Sequence, residues 1–241
     1  MGDGKEITLH EETNYPFEEG IAFTVSTDEK VAFPFYLRIP SWTQKAEVRV
    51  NGKKVSAAPV AGKYLCINRE WANGDRVELA LPMSLSMRTW QVNKNSVSVD
   101  YGPLTLSLKI AEKYVEKDSR ETAIGDSKWQ KGADPQKWPT TEIYPDNPWN
   151  YSLVLDKKEP LKNFKVIRKS WPADNYPFTV TSVPLEVKAI GRPVPEWKID
   201  ETGLCGVLPE EDAVKGDKEE ITLIPMGAAR LRISAFPNTK E

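Results

Sequence analysis

Carboxylates are the residues whose type and number could support hydrolytic chemistry in this 241-residue sequence, which contains 35 Asp and Glu. Hydrolysis of a glycosidic bond by the usual route needs two of them, about 5–9.5 Å apart, one acting as a general acid. The closest runs, Glu11-Glu12, Glu18-Glu19 and Glu210-Glu211-Asp212, lie in polar segments typical of solvated surface. Nothing there predicts the burial that raises the pKa of a general acid. We therefore predict no catalytic residue.

Histidine and cysteine are too few for the other common active-site designs. The chain has one histidine, His10, and two cysteines, Cys66 and Cys205. A closed zinc site needs four protein ligands, so these residues exclude a Cys/His zinc site. Oxygen ligands at Asp146-Asn147, or at Asp212 with Asp217, leave a calcium site open, but we assign no metal-binding residue and no cofactor to this chain. His10 stands beside Glu11 and Glu12 in a strand-like segment, which is typical of surface rather than of a Ser-His-Asp triad. Whether the two cysteines form a disulfide stays open, because sequence does not place their Cα atoms.

Tryptophan is the residue type that most suggests ligand binding. The eight tryptophans are Trp42, Trp71, Trp90, Trp129, Trp138, Trp149, Trp171 and Trp197. Sugar rings present C–H faces that stack on aromatic planes, so exposed Trp on a β-scaffold suits carbohydrate binding. Trp can instead fill the end of a sandwich, the role predicted for Trp71 at a strand end. Trp129, Trp138, Trp149 and the adjacent Tyr151 are the predicted carbohydrate-binding residues.

Charge and composition exclude two classes of partner. Lys and Arg number 33 and the net charge is −2, with both signs interleaved as in Glu116-Lys117-Asp118. Nucleic-acid binders need a basic face, so no nucleic-acid partner is predicted. No stretch approaches the roughly 20 apolar residues of a membrane span, so we predict a soluble chain with no membrane partner. No apolar leader precedes the first strand-like residues, Ile7-Thr8-Leu9, and we expect a piece of a longer protein.

Alternating apolar residues predict β-strands through the first half. Over Phe33–Ile39 the alternation places Phe35 and Leu37 on one face and Tyr36 on the other. Asn51-Gly52 predicts a type I′ hairpin, because both of its turn positions need φ > 0. Further strands are predicted at Ile21–Val25, Tyr64–Asn68, Val77–Leu81, Ser96–Tyr101 and Leu104–Ile110.

The chain changes character after residue 111. Glu112–Glu121 is charged and is interpreted as a candidate short helix, and Ile124–Thr141 is polar with several Gly and Pro. We predict an all-β fold with two tandem antiparallel β-sandwich domains, residues 1–111 and 146–241, joined by a connection over 112–145. Strands in the second domain are predicted at Ser152–Leu155, Phe164–Ile167, Phe178–Val180, Leu185–Ala189, Ile221–Ile224 and Arg230–Ala235.

A set of short motifs carries a family resemblance. In the first half they are Leu37-Arg38-Ile39-Pro40-Ser41-Trp42, Val50-Asn51-Gly52, Gly74-Asp75, Leu81-Pro82-Met83 and Tyr101-Gly102-Pro103-Leu104. Farther on they are Trp149-Asn150-Tyr151, Pro195-Glu196-Trp197 and Arg230-Leu231-Arg232-Ile233. Together they resemble glycoside hydrolase family 127, the β-L-arabinofuranosidase-like proteins. The similarity spans nearly the whole chain and is denser over residues 30–110.

The resemblance implies a larger parent protein. Members of that family have an N-terminal (α/α)6 barrel with a catalytic carboxylate, a cysteine nucleophile and a cysteine-rich zinc site, followed by two β-sandwich domains. This chain matches only the sandwiches, and neither Cys66 nor Cys205 lies in a comparable cysteine cluster. No catalytic residue carries over, and zinc is expected only in the missing barrel.

The expected function is therefore that of a non-catalytic accessory region of a bacterial glycoside hydrolase, with the missing catalytic barrel as its partner. An autonomous carbohydrate-binding module that uses exposed Trp is the alternative, and an independent glycosidase is a third interpretation. The resemblance also favours an extracytoplasmic location, plant-type glycans as ligands and a homo-oligomer.

Overall fold

The structure, a computed structural model, describes residues 4–118, 134, 136–210 and 216–240. Within these ranges it contains seventeen β-strands, a 3-10 turn at Met226–Ala228 and no α-helix, which confirms the predicted all-β class. The described residues include no helix with the length and apolar composition needed to cross a bilayer. The chain divides into two compact units, Met1–Ser86 with Asp100–Leu104, and Met87–Val99 with Thr105–Glu241.

Two antiparallel sheets form the first unit. Its strands are β1 (Thr8–Thr13), β2 (Gly20–Ser26), β3 (Val31–Arg38), β4 (Glu47–Val50), β5 (Lys53–Lys54), β6 (Tyr64–Trp71) and β7 (Arg76–Ala80). The larger sheet has the order β1-β2-β7-β4-β5, and the smaller sheet pairs β3 with β6. This arrangement buries one face of each sheet in a shared core, as in a sandwich.

An aromatic cluster fills the core of the first unit. Phe33, Phe35 and Leu37 are buried on one face of β3 while Tyr36 is exposed on the other, so the predicted alternation is confirmed. Trp71 is fully buried at the end of β6, and its ring centroid lies 5.6 Å from that of Phe33 and 5.7 Å from that of Phe35. Its Nε1 donates to the Phe33 carbonyl oxygen at 3.0 Å. The predicted core role of Trp71 is confirmed.

The predicted type I′ turn joins β4 to β5. Asn51 and Gly52 have φ values of 50° and 76°. The turn is held from the side, because Asn51 Nδ2 donates to Asp75 Oδ1 at 2.7 Å and the Arg76 backbone N–H donates to Asn51 Oδ1 at 2.8 Å. Asp75 Oδ2 also accepts the Ala72 backbone N–H at 2.9 Å. These bonds tie two turns of the unit together.

The remaining strands continue in chain order. They are β8 (Leu85–Trp90), β9 (Ser96–Tyr101), β10 (Leu104–Leu108), β11 (Glu112–Lys117), β12 (Thr140–Pro145), β13 (Tyr151–Leu155), β14 (Lys165–Arg168), β15 (Leu185–Pro193), β16 (Glu219–Pro225) and β17 (Asn238–Lys240). One sheet has the order β17-β13-β15-β16-β10-β9-β8, with β14 beside β15. A separate antiparallel pair joins β11 to β12. Fully buried leucines, Leu153, Leu185 and Leu223, come from three neighbouring strands of the large sheet.

The candidate helix over Glu112–Glu121 is wrong for its described part. Residues Glu112–Lys117 form β11, and the register places Glu112 opposite Pro145 and Lys117 opposite Thr140. The backbone of β11 is paired with that of β12, and charged residues stand on both of its faces, so the sequence shows no apolar alternation. The described part of the predicted connection 112–145 therefore contains two strands and lies in the second unit.

Two predicted strands of the second half are irregular chain. Phe178–Val180 leads into a turn in which the Ser182 backbone N–H donates to Thr179 Oγ1 at 3.0 Å, a local bond that competes with strand pairing. Arg230–Ala235 also has no ladder. There the Ile233 backbone N–H donates to the Ser107 side-chain oxygen at 3.0 Å, so a side chain replaces a backbone partner.

Candidate functional site

A cleft in the second unit has a volume of about 720 Å³. Strands β10, β11, β13 and β16 and four irregular segments line it. The lining residues are Leu108, Lys109, Ala111, Glu112, Tyr114, Asn147, Pro148, Tyr151, Thr179, Val180, Thr181, Glu220, Ile221, Thr222 and Arg230. Apolar, hydroxyl and charged groups are mixed along its walls, which is the composition of a small-molecule site.

A three-residue cluster, Glu112, Tyr114 and Arg230, dominates one side of the cleft. The Glu112 side chain is only 5% exposed, whereas that of Arg230 is 51% exposed. Arg230 donates to Glu112 twice, from its backbone N–H at 3.2 Å and from Nη1 at 3.2 Å. Tyr114 donates its hydroxyl to Glu112 and accepts Arg230 Nη1 at 2.7 Å. The guanidinium carbon also lies 5.8 Å from the centroid of the Tyr114 ring.

The electrostatics of this cluster favour an ionised Glu112. Burial raises the pKa of the Glu112 carboxyl, but hydrogen bonds from Tyr114 and Arg230 outweigh it and hold the pKa below its ordinary value. The hydrogen bond that Tyr114 makes to Glu112 raises the pKa of the Tyr114 phenol, and the one that Arg230 makes to Glu112 raises the pKa of the Arg230 guanidinium. A general acid needs the opposite shift, because it must carry a proton near neutral pH. Glu112 accepts hydrogen bonds from both partners in this cluster, and its lowered pKa agrees with that role.

Paired charges surround the cluster. Lys109 and Lys169 contact the same Glu186 oxygen at 2.7 and 3.0 Å, and Lys188 lies 3.1 Å from Glu220. Burial raises the pKa of Glu186, but the bonds from both lysines leave it lowered. These contacts compensate the charges of the two lining residues Lys109 and Glu220.

Hydroxyl groups supply the remaining polar lining. Thr179 Oγ1 lies 2.6 Å from Ser182 Oγ and 3.2 Å from Thr181 Oγ1. Ser182 Oγ in turn donates to the Tyr176 carbonyl oxygen at 2.7 Å, which orients the group. A hydroxyl can donate and accept, so this edge can satisfy a partner of either kind.

A family comparison covers the first third of the chain. Residues 2–83 match the family model described as the middle domain of β-L-arabinofuranosidase, GH127. The resemblance to family 127 is confirmed. No curated protein matches the chain.

Solved structures of GH127 enzymes share the fold over nearly the whole chain. One match is a GH127 β-L-arabinofuranosidase from Geobacillus stearothermophilus T6, with 23% identity, a TM-score of 0.58 and coverage of 98% of this chain and 31% of that one. A second match is a GH127 β-arabinofuranosidase, with 22% identity, a TM-score of 0.58 and coverage of 98% of this chain and 32% of that one. A third is a glycoside hydrolase, with 20% identity, a TM-score of 0.57 and coverage of 98% of this chain and 33% of that one. The chain thus spans about a third of the length of these structures.

Three of the residues predicted to bind carbohydrate, Trp138, Trp149 and Tyr151, lie in the described ranges and differ in exposure. Trp138 is 71% exposed and precedes β12. Trp149 is half-buried, and its ring packs edge-on against Trp197 with centroids 5.2 Å apart. Tyr151 is buried, and its hydroxyl bonds to Glu219; burial, followed by that bond, raises its pKa to about 12. Of the described candidates only Tyr151 lines the cleft.

Trp129 lies outside the described residues. Its predicted role, like that of the other three candidates, stays a prediction.

Sequence reasoning missed the cluster of Glu112, Tyr114 and Arg230. Glu112 and Arg230 are 118 positions apart, and each sits in a charged or basic run that is typical of surface. The only local signal was the Glu-x-Tyr spacing on a strand, where residues two apart share one face. That signal gives no hint of the Arg partner.

The cysteines and metal-ligand types show no assembled site within the described ranges. Cys66 and Cys205 are both free and exposed. The described residues contain no group of three or more His, Cys, Asp or Glu placed to hold a metal ion.

Proposed function

We propose that this chain is a non-catalytic accessory β-sandwich region of a GH127-type glycoside hydrolase, and that it supports a catalytic (α/α)6 barrel. The observation that carries the proposal is the family match over residues 2–83, which is to the family's middle domain. The fold likeness is consistent with it, because the chain overlays about a third of each GH127 enzyme. The activity of the whole enzyme would then belong to the parent protein.

The chemistry of the cleft supports a non-catalytic role. Its buried carboxylate, Glu112, is held ionised by Arg230 and Tyr114. The other cleft carboxylate, Glu220, is 61% exposed and paired with Lys188. Retaining and inverting glycosidases both need one carboxyl with a raised pKa. The hydrogen bonds from Tyr114 and Arg230 lower the pKa of Glu112, which is the opposite shift.

The outer face of the small sheet is the surface that suits a partner domain. Tyr36 and Tyr64 are 62% and 68% exposed on the face of β3 and β6 that points away from the core. Large exposed aromatics grouped on one face are typical of an interaction surface. We assign this face to the barrel.

The proposal is tested by a hydrolysis assay on the purified, folded chain with an aryl β-L-arabinofuranoside. We expect no release of the aryl group above the blank, because Glu112, the buried carboxylate of the described cleft, is an acceptor with a lowered pKa and is unsuited to protonate the leaving oxygen. Release that disappears in a Glu112→Gln variant would refute the accessory role. A heat-treated sample and a Tyr144→Phe variant serve as controls.

An autonomous carbohydrate-binding module is the second candidate, favoured by the 71% exposure of Trp138. Exposed Trp is the usual stacking surface for a sugar ring. Retention on insoluble arabinan that is lost in Trp138→Ala, but kept in a control Trp90→Ala, would support it. Equal retention of both variants would contradict it.

A further inference from the structure

We propose that the cleft of the second unit is a binding site for an uncharged sugar residue, with the Tyr114 ring as the stacking surface and Glu112, Arg230 and the threonine edge as hydrogen-bond partners. This goes beyond the accessory role, which requires no ligand. Only the choice of arabinose-containing probes below rests on that proposed function.

The size of the cleft suits a small ligand. Its volume of about 720 Å³ lies inside the range of about 300–1,000 Å³ typical of small-molecule sites. Its walls also combine apolar groups such as Pro148 and Ile221 with polar ones such as Asn147 and Thr222. A sugar presents the same mixture, with C–H faces and hydroxyl edges on one ring.

Tyr114 is held ready for stacking before any ligand arrives. Its side chain is 51% exposed, so part of the ring faces the solvent of the cleft. Its hydroxyl is fixed between the Glu112 carboxylate and Arg230 Nη1, which restricts rotation of the ring. A ring that is already ordered loses little conformational entropy on binding. Aromatic faces are the surface on which the C–H face of a sugar packs.

The polar groups match the needs of neighbouring sugar hydroxyls. A hydroxyl both donates and accepts a hydrogen bond, so two neighbouring sugar hydroxyls bind best to a protein acceptor that lies beside a protein donor. Glu112 supplies carboxylate acceptors and Arg230 supplies guanidinium donors within one contact distance, 3.2 Å. Thr179 and Thr181, 3.2 Å apart, add two more groups of either kind.

The balance of charge favours an uncharged ligand. Three cationic and four anionic side chains line the cleft or contact the residues that do. The cations are Lys109, Lys188 and Arg230, and the anions are Glu112, Glu186, Glu219 and Glu220. Each described cation has an anionic partner, so the cleft has no surplus positive charge for a uronic acid or a phosphate. The site therefore selects a neutral glycan.

Tyr144 provides a natural control for Tyr114. It lies on β12, and its hydroxyl bonds to Glu142 just as that of Tyr114 bonds to Glu112. The two rings are similarly exposed, at 42% and 51%. Tyr144 does not line the cleft. The substitutions Tyr114→Ala and Tyr144→Ala therefore remove the same side chain from the same small sheet, but only the first removes it from the cleft.

The test is a set of calorimetric and saturation-transfer NMR titrations of the chain with neutral arabino-, xylo- and galacto-oligosaccharides, and with oligogalacturonate as the anionic probe. We expect saturable binding of at least one neutral probe at millimolar or lower concentration. Tyr114→Ala and Thr181→Val, both at exposed positions, should weaken it, the first by about tenfold, equivalent to about 1.4 kcal/mol. Tyr144→Ala should leave it unchanged.

Three results would overturn the inference. They are no binding of any neutral probe by folded protein, equal weakening by Tyr114→Ala and Tyr144→Ala, and tighter binding of oligogalacturonate than of every neutral probe. None of these bears on the accessory role, which the hydrolysis assay tests separately. Binding of a neutral glycan without arabinose would uphold the site and leave the arabinose link unsupported.

Discussion

The first unit has buried aromatic rings at the centre of its core, whereas the second has a nearly buried carboxylate at the side of a cleft. In the first, Trp71 is fully buried with Phe33 and Phe35 around it. In the second, the 5%-exposed carboxylate of Glu112 is satisfied by Arg230 at the side of a cleft. Hydrophobic contacts are non-directional, while a buried carboxylate requires specific partners. The aromatic rings of the first unit therefore contribute through burial, whereas Glu112 of the second unit depends on its particular hydrogen-bond partners.

Removal of the first unit's aromatic centre should have the largest effect. Trp71→Ala should lower the free energy of unfolding by about 3–5 kcal/mol, because it removes a fully buried ring and leaves a cavity. Urea unfolding measures the loss, and hydrogen exchange should locate it in β3 and β6. Tyr64→Ala, on the 68%-exposed outer face of the same strand, is the matched control. A loss below about 1 kcal/mol for Trp71→Ala would contradict the central role of this ring.

Acid should destabilise both units through carboxyls that are paired in the fold. Burial raises the pKa values of Glu112, Glu186 and Asp75, but their hydrogen bonds leave all three lowered. A carboxyl whose pKa is lower in the folded than in the unfolded state contributes its full stabilisation of the fold above the unfolded pKa, which is about 3.9 for Asp and 4.3 for Glu. That contribution is lost as the pH falls through the folded pKa. The urea midpoint should therefore fall below about pH 4.5.

The double variant Glu112→Gln/Glu186→Gln separates the two units in this acid titration. It should flatten the part of the pH dependence that hydrogen exchange assigns to the second unit. The part due to Asp75, in the first unit, should remain. An unchanged pH profile would show that the paired charges of the cleft do not contribute.

A single neutralisation at the cleft should have an intermediate effect. Glu112→Gln should cost about 1–2 kcal/mol in the free energy of unfolding, because it replaces charge-assisted hydrogen bonds to a nearly buried group. Glu142→Gln changes the corresponding residue on β12, whose side chain is 38% exposed, and should cost less than about 0.5 kcal/mol. A similar loss of unfolding free energy in the two variants would contradict the distinction between the Tyr114–Glu112 pair and the more exposed Tyr144–Glu142 pair.

The hairpin of the first unit should show the smallest of these effects. Gly52 has φ = 76° and open space where a Cβ would lie, so Gly52→Ala should cost about 1 kcal/mol from backbone strain alone. Gly20→Ala, in β2, has the same open space without a positive φ and should be nearly neutral. Thermal unfolding of both variants makes the comparison. An equal change in the melting temperature of the two variants would show that the loss of stability does not come from strain in the turn.

The sequence predicted the first unit far better than the second, for a physical reason. The alternation around Phe35 and the turn at Asn51-Gly52 are local signals, and the structure confirms both. β11 was missed because its stabilising partner, β12, is separate in sequence and its residues are polar on both faces. The segment Arg230–Ala235 alternates like a strand, yet a Ser107 side chain takes the place of a backbone partner.

The candidate site could be predicted only in part, because contacts between distant residues define it. Trp149 suggested an exposed ring, but packing against Trp197 half-buries it. The buried role of Tyr151 depends on Glu219, which no local pattern links to it. The Arg230–Glu112 contact spans 118 positions and has no sequence signature. The family resemblance, in contrast, rests on short motifs and was within reach of the sequence.

The most direct test of the account is the pKa of Glu112, measured by NMR on protein labelled at the glutamate side-chain carboxyl carbon and assigned with Glu112→Gln. If the Glu112 carboxyl is an ionised hydrogen-bond acceptor and not a proton donor for catalysis, its pKa should lie below the ordinary glutamate value of 4.5. A pKa raised toward neutrality would contradict it and would make this chain a candidate catalyst.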